Sequence, residues 1–189
     1  MQYTAHYDSP LGGITLASDG EALTGLWFDG QKYFAAGLDA DREQAALPVF
    51  GQTARWLDIY FGGGEPDFTP ALHLSGTPFQ LAVWDMLLTV PYGRTVTYGG
   101  LASALAAKKG VLRTSAQAVG GAVARNPISV IVPCHRVVGA NGSLTGYAGG
   151  LDKKLSLLTL EKADTADLFI PAASKTAADS RKIAGPRKI

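Results

Sequence analysis

The chain has 189 residues, of which 47% are hydrophobic and 17% charged, with a formal net charge of +1. That apolar share excludes an intrinsically disordered chain. No apolar run reaches the ~20 residues of a membrane span, and Met1-Gln2-Tyr3 lacks the basic-then-apolar start of a signal region. One cysteine, Cys134, excludes a disulfide framework and a multi-thiolate zinc site; a lone thiol fits a reducing compartment, so a soluble cytoplasmic protein is expected.

The first 30 residues read as β-structure, with short strand-like runs at Tyr3–Tyr7, Ile14–Ala17 and Ala22–Phe28 punctuated by Asp19-Gly20 and Asp29-Gly30. Phe50, Ala54, Leu57 and Phe61 lie at helical spacing, which predicts a helix over 47–61, broken by Gly62-Gly63-Gly64. Residues 65–76, with Pro and Gly, read as a linker, so a domain boundary is placed there. Thr77, Pro78 and Gln80 form a helix start with a capping box, and Phe79, Val83, Met86 and Leu87 its apolar face, ended by Pro91.

Thr97 can cap a helix to about Ala106, and Ser115 a second over 116–125. The second has small residues at Ala116, Gly120, Gly121 and Ala124. Two such helices suggest a helix-turn-helix, or else tight helix packing inside the protein. Ile128–Val132, β-branched at every position but Ser129, predicts a buried strand, and Asn141-Gly142 a hairpin. A last helix is predicted from about Leu151 to Glu161, with Leu151, Leu155 and Leu158 on one face. From Asp164 onward the periodicity is lost, and a mobile basic tail is expected over 164–189.

The net charge conceals an asymmetry. Met1–Asp85 carries 3 basic and 11 acidic residues; Met86–Leu151 carries six basic residues (Arg94, Lys108, Lys109, Arg113, Arg125, Arg136) and no Asp or Glu; Asp152–Ile189 carries 8 basic and 5 acidic. The carboxylate-free stretch is either an anion-facing surface, with nucleic acid the leading partner, or chance clustering on a solvated face.

Cys134 is the chemical centre. It follows Pro133 and precedes His135 and Arg136, so a base and a cation lie next to a thiol that reacts as its thiolate. Neighbouring side chains in an extended strand point to opposite faces, so His135 reaches Cys134 only through a turn or a bridging water. The alternative is an inert buried cysteine. Glu161 is either a partner for a histidine or a helix-end glutamate in solvent, and spacing alone favours solvent. Asn126, before Pro127, can brace a turn; Tyr98 and Tyr147 carry hydroxyls near the motif. No glycine-rich nucleotide fingerprint appears, and no histidine pair has metal-ligand spacing, so neither cofactor nor metal is expected.

Ile131-Val132-Pro133-Cys134-His135-Arg136-Val137-Val138 resembles the active-site signature of the O6-alkylguanine-DNA alkyltransferases, the methylated-DNA–protein-cysteine methyltransferases. Phe79-Gln80, Val90-Pro91-Tyr92-Gly93, Thr97-Tyr98, Ala118-Val119-Gly120-Gly121-Ala122, Asn126-Pro127, Gly146-Tyr147-Ala148-Gly149-Gly150 and the leucine-rich helix ending at Glu161 recur in the family's order. Ser9-Pro10-Leu11-Gly12 is a looser match. The resemblance implies an α+β protein. An N-terminal ribonuclease-H-like α/β domain (1–75, with the linker) would precede a mainly helical, winged-helix-like domain with a helix-turn-helix (76–163).

By this resemblance, 116–125 is a recognition helix in the minor groove, and the alkylated guanine is flipped into a pocket. Cys134 would take the alkyl group once and irreversibly. His135 would deprotonate it through a water, Glu161 would orient His135, Tyr98 would donate to the departing base, and Asn126 would brace the turn. Tyr147, Ala148 and the Val137 carbonyl would line the pocket. Ala118, Gly120, Gly121, Arg125 and Arg136 would meet DNA.

The partner implied is double-stranded DNA carrying O6-alkylguanine, bound by a monomer without a cofactor. The arginine that family members carry before the Ala-Val-Gly run is Gln117 here, and the loop at 108–113 is longer than usual, so Gln117 or Arg113 would fill the space of the flipped base. A non-catalytic alkyltransferase-like binder is the main alternative, opposed by the presence of Cys134. A Cys-His hydrolase and a sequence-reading regulator fit less well, since no oxyanion site and no Arg/Asn/Gln array appear.

Overall fold

A computed structural model describes residues 1–39 and 41–171. Three antiparallel strands open the chain: β1 (Gln2–Ser9), β2 (Gly12–Ser18) and β3 (Leu23–Phe28). A fourth, β4 (Arg42–Gln44), pairs parallel to β1, giving the order β3-β2-β1-β4. Its three residues are polar and exposed, so no hydrophobic pattern announces it. Helix α1 (Pro48–Phe61) turns Val49, Phe50, Thr53, Trp56, Leu57 and Tyr60 inward at three- and four-residue intervals. It ends at Gly62, where the Gly63 and Gly64 amides bond back to Tyr60 and Ile59.

Residues 65–76 do not swing free. Leu23 N–H donates to Ala71 O at 2.8 Å and His73 N–H to Leu23 O at 2.9 Å, so the segment runs beside β3. Helix α2 (Pro78–Leu87) starts with the predicted capping box on Thr77 and Gln80. Its buried face is Val83, Trp84 and Leu87. Trp84 also donates its indole N–H to Ala122 O at 2.9 Å, tying α2 to a later helix.

Two capped helices form the helix-turn-helix: α3 (Tyr98–Lys109), capped by Thr97, and α4 (Ala116–Ala124), capped by Ser115. Short strands β5 (Val96–Thr97) and β6 (Val137–Val138) pair in parallel beside it. Helix α5 (Leu151–Leu160) closes the domain, with Glu161 at its C-cap.

Segment 128–132 is buried but is not a strand. Only Ile128 pairs, as an isolated bridge to Leu26. Ile131 N–H then bonds to Ser129 O at 2.8 Å around Val130, which has φ +68°, and Cys134 N–H to Val132 O at 2.8 Å around Pro133 at φ −82°, ψ 62°. These are a left-handed γ-turn, rare and strained, followed by an inverse one. Burial of all five residues, Ser129 included, explains the β-branched composition, and a run buried throughout carries no periodicity to distinguish strand from coil.

Asn141-Gly142 makes the expected turn, closed by Gly139 N–H to Ser143 O at 2.9 Å, but not a hairpin ladder: its far arm pairs with Phe169. The described start of the expected tail is therefore docked. Leu168 and Ile170 pack on Val138, Leu144, Leu158 and Ala163. The remainder of that tail, 172–189, lies outside the described residues. The two halves meet along β3, where Leu26 N–H donates to Pro127 O and Ser129 N–H to Leu26 O, each at 2.9 Å.

Candidate active site

Cys134 opens a 3-10 turn, Cys134–Arg136, and is 5% exposed. Asn126, at the end of α4, holds the preceding loop. Its Nδ2 lies 3.1 Å from Ile128 O and 2.8 Å from Val132 O, and its Oδ1 accepts from Ile128 N–H at 3.0 Å. The same Nδ2 lies 3.1 Å from Cys134 Sγ. Asn126 thus braces the turn and also touches the thiol, a contact its sequence position did not disclose. Burial pushes the Cys134 thiol up; the Asn126 amide and the Lys154 ammonium oppose that.

His135 is fully buried, and its Nε2 is 2.7 Å from Glu161 Oε1. Glu161 sits seven residues after Lys154 on the inward face of α5 and is 2% exposed, so the solvent position that spacing favoured is overturned. Its Oε1 also accepts from Tyr60 Oη at 2.7 Å and Arg136 Nη2 at 3.0 Å; its Oε2 accepts from Arg136 Nε at 2.9 Å and Gly93 N–H at 3.1 Å. Burial alone would raise this carboxyl, but hydrogen bonds and charges from His135 and Arg136 outweigh it and hold it at about 2. A carboxylate on Nε2 fixes that nitrogen as the donor and leaves Nδ1 as the basic one. Burial lowers the His135 pKa, so the ring is neutral at pH 7. Nδ1 and the Tyr147 hydroxyl are buried without a partner among the described residues. The Tyr147 ring stands 6.5 Å from the His135 ring.

Arg136 departs from its expected role. Its guanidinium points inward, 8% exposed, held by Glu161 and by Val90 O at 2.6 Å, so it does not lie on a DNA-facing surface. The reason is geometric: in a 3-10 turn His135 and Arg136 swing to the same buried carboxylate, whereas an extended strand would separate them.

Two participants escaped the sequence reading. Tyr60, from α1 of the first half, bonds Glu161 and approaches His135 Nε2 at 3.4 Å; in sequence it is indistinguishable from a core aromatic. Lys154 is completely buried and donates to Val137 O at 2.5 Å and Thr145 O at 2.7 Å. Burial lowers its pKa to about 8. It sits three residues after Leu151 and four before Leu158, so the spacing placed it on the apolar face. The Val137 carbonyl is therefore already engaged once, with one lone pair remaining.

Tyr98 donates to Thr145 O at 2.9 Å, and its hydroxyl lies where a side chain on Gly146 would collide with it. Burial raises its pKa to about 12, so it remains a donor at neutral pH. Gly120, expected on an outward face, lies over the Tyr98 ring, and Gly121 is half-buried; the exposed positions of α4 are Ala116, Gln117 and Ala118, followed by Arg125 at its C-cap. Arg125 stacks over Tyr33, 5.4 Å from the ring centre. Arg113 is exposed, and Ala148 is half-buried with its carbonyl accepting from Lys32 N–H at 3.0 Å.

The sequence over residues 2–74 matches the 6-O-methylguanine DNA methyltransferase ribonuclease-like domain, and 78–163 matches that family's DNA-binding domain. A methylated-DNA–protein-cysteine methyltransferase of Mycobacterium leprae is 46% identical over 162 residues, 86% of this chain and 93% of that protein. One from Haemophilus influenzae is 42% identical over 85% of this chain and 86% of its own length. Among solved structures, Mycobacterium tuberculosis OGT in complex with DNA superposes with a TM-score of 0.74 at 43% identity, covering 85% of this chain and 93% of that one. With both halves matched and such identity sustained over most of each relative, the chain belongs to the 6-O-methylguanine DNA methyltransferase family.

Proposed function

We propose that the chain repairs DNA by direct reversal, moving an alkyl group from O6 of guanine to its own Cys134, once per molecule. The observation that carries this is a buried carboxylate–imidazole pair whose basic Nδ1 is free, beside a thiol held by Asn126. The thiol proton passes through a water to Nδ1. Sγ then bonds to the alkyl carbon as the carbon–O6 bond breaks, and the electron pair goes to the guanine, which takes up one proton and leaves neutral. Glu161 fixes the His135 tautomer and stabilises the imidazolium; Asn126 and Lys154 favour the sulfur anion as it forms. Tyr98 turns its one hydroxyl proton from Thr145 O to the departing base. The thioether is stable and no step removes it.

The duplex is read by α4. Its exposed Ala116 and Ala118 permit close approach, and Arg125 supplies a phosphate contact. The partner is duplex DNA with O6-alkylguanine, the protein acts as a monomer, and its free thiol suits the cytoplasm. Among the described residues no helix is long and apolar enough to cross a membrane. Intact-protein mass after mixing with excess O6-methylguanine duplex tests the reading. One methyl group per chain, mapped to Cys134, is expected; no gain with binding retained would point to a damage-recognition protein without chemistry.

A further inference from the structure

The helix-turn-helix carries a feature that neither the transfer chemistry nor the core uses. The turn joining α3 to α4 ends in a bare apolar tip: Leu112 is fully exposed and Val111 is 48% exposed. A single exposed leucine is ordinary on a protein surface; the setting of this one is not. Lys108, Lys109 and Arg113 flank it, all exposed, within the stretch that holds no Asp or Glu. The base of the turn is fixed on both sides. Gly110 closes α3 in the left-handed conformation, Val111 N–H bonds to Ala106 O at 3.0 Å, and Lys109 lies over the Phe79 ring at 5.5 Å. Three residues after Leu112, Ser115 caps α4 and leads directly into exposed Ala116, Gln117 and Ala118.

A cationic turn with an apolar point suits a polyanion with an apolar interior, and a base-stacked duplex is one. Leucine is among the side chains that enter between base steps and unstack them, while neighbouring cations hold the phosphates on either side. We propose that Leu112 is a wedge that opens the duplex next to the alkylated guanine, with Lys108, Lys109 and Arg113 anchoring the backbone around it. This assigns the displacing role to an apolar side chain in a protein whose α4 offers uncharged Gln117 and no arginine at its start. The inference rests on the reading of α4 as the helix that meets DNA.

Two measurements test it. The first is the rate of Cys134 alkylation by O6-benzylguanine in a duplex and by free O6-benzylguanine base, for the parent chain, Leu112→Ser and Leu112→Met. Leu112→Ser is expected to slow duplex transfer about tenfold, the loss of about 1.4 kcal/mol of wedge contact in the opened duplex. It is expected to leave transfer from the free base unchanged, and Leu112→Met to restore the duplex rate. Equal loss on both substrates, or no loss on the duplex, overturns the wedge. The second uses the Cys134→Ser background at saturating protein, with 2-aminopurine beside the lesion. Its fluorescence is expected to rise with Leu112 present and to stay low with Leu112→Ser; equal signals overturn the proposal. If the parent chain takes no alkyl group from either substrate, the reading of Cys134 fails, and the fluorescence comparison still decides the wedge.

Discussion

Six basic side chains occupy the carboxylate-free stretch 86–151, and they divide into two kinds. Arg94, Lys108, Lys109, Arg113 and Arg125 face solvent, while Arg136 is turned into the core against Glu161. The exposed five keep their water and act at a distance on an anionic partner, a contribution that salt screens. The buried one has exchanged water for a bidentate carboxylate, and its removal would strand that carboxylate in the protein. Residue type and local composition are the same for both kinds; desolvation and a single partner separate them.

The chemistry lies on the buried side of this division, so the largest effect is expected there. Cys134→Ser should abolish alkyl acceptance entirely while leaving duplex binding intact, read by intact mass and a gel-shift titration; residual methylation at any other residue would break the assignment.

Glu161→Ala comes next. Five contacts from Tyr60, His135, Arg136 and the Gly93 amide converge on this carboxylate. Its removal should destabilise the fold by about 3–5 kcal/mol, because Arg136 is left buried and unpaired. Denaturant unfolding measures this. The same substitution in a helix-end glutamate in solvent would change stability by at most ~0.5 kcal/mol, so the measurement distinguishes the two readings of Glu161 directly.

Acidification probes the same cluster. The folded state lowers the His135 pKa below its ordinary 6.5 and the Glu161 pKa from 4.5 to about 2. In both cases the unfolded chain binds its proton first on acidification. Stability should therefore be full above pH 6.5, fall as His135 charges in the unfolded state, and fall further below 4.5 towards 2. A melting temperature that stays flat from pH 7 to pH 4 would contradict a buried neutral histidine.

Tyr60→Phe is a gentler cut into the same network. It removes one hydrogen bond to a charged acceptor, worth about 1.5–3 kcal/mol. The freed Glu161 oxygen should then hold His135 more tightly as imidazolium, moving the acid limb of the transfer rate to higher pH. An unchanged pH profile would make Tyr60 packing alone. On the exposed side, Arg125→Ala should leave stability within ~0.5 kcal/mol. It should weaken binding to all duplex sequences and lower the salt slope by about 1.

Much of the framework was legible locally. The three long strands, the capping box at Thr77 and Gln80, the caps at Thr97 and Ser115, and the break at Gly62 are each set by side chains and backbone preferences within a few residues. Where several backbone solutions bury the same side chains, composition stopped short. Residues 128–132 are as buried as a core strand, yet 129–134 fold as consecutive γ-turns beside the Asn126 amide. Segment 164–170 has no periodicity, yet Phe169 finds a partner in Gly142.

The sequence by itself determined which residues could do the chemistry: a thiol, an imidazole and the order of motifs around them are covalent facts. Tertiary structure alone decided which charges those residues meet. Tyr60 lies 101 positions from Glu161 and Arg136 25, and only the packed fold brings both to that one carboxylate. Burial and partner distance fix protonation and charge strength, and both are properties of the assembled core rather than of any stretch of chain.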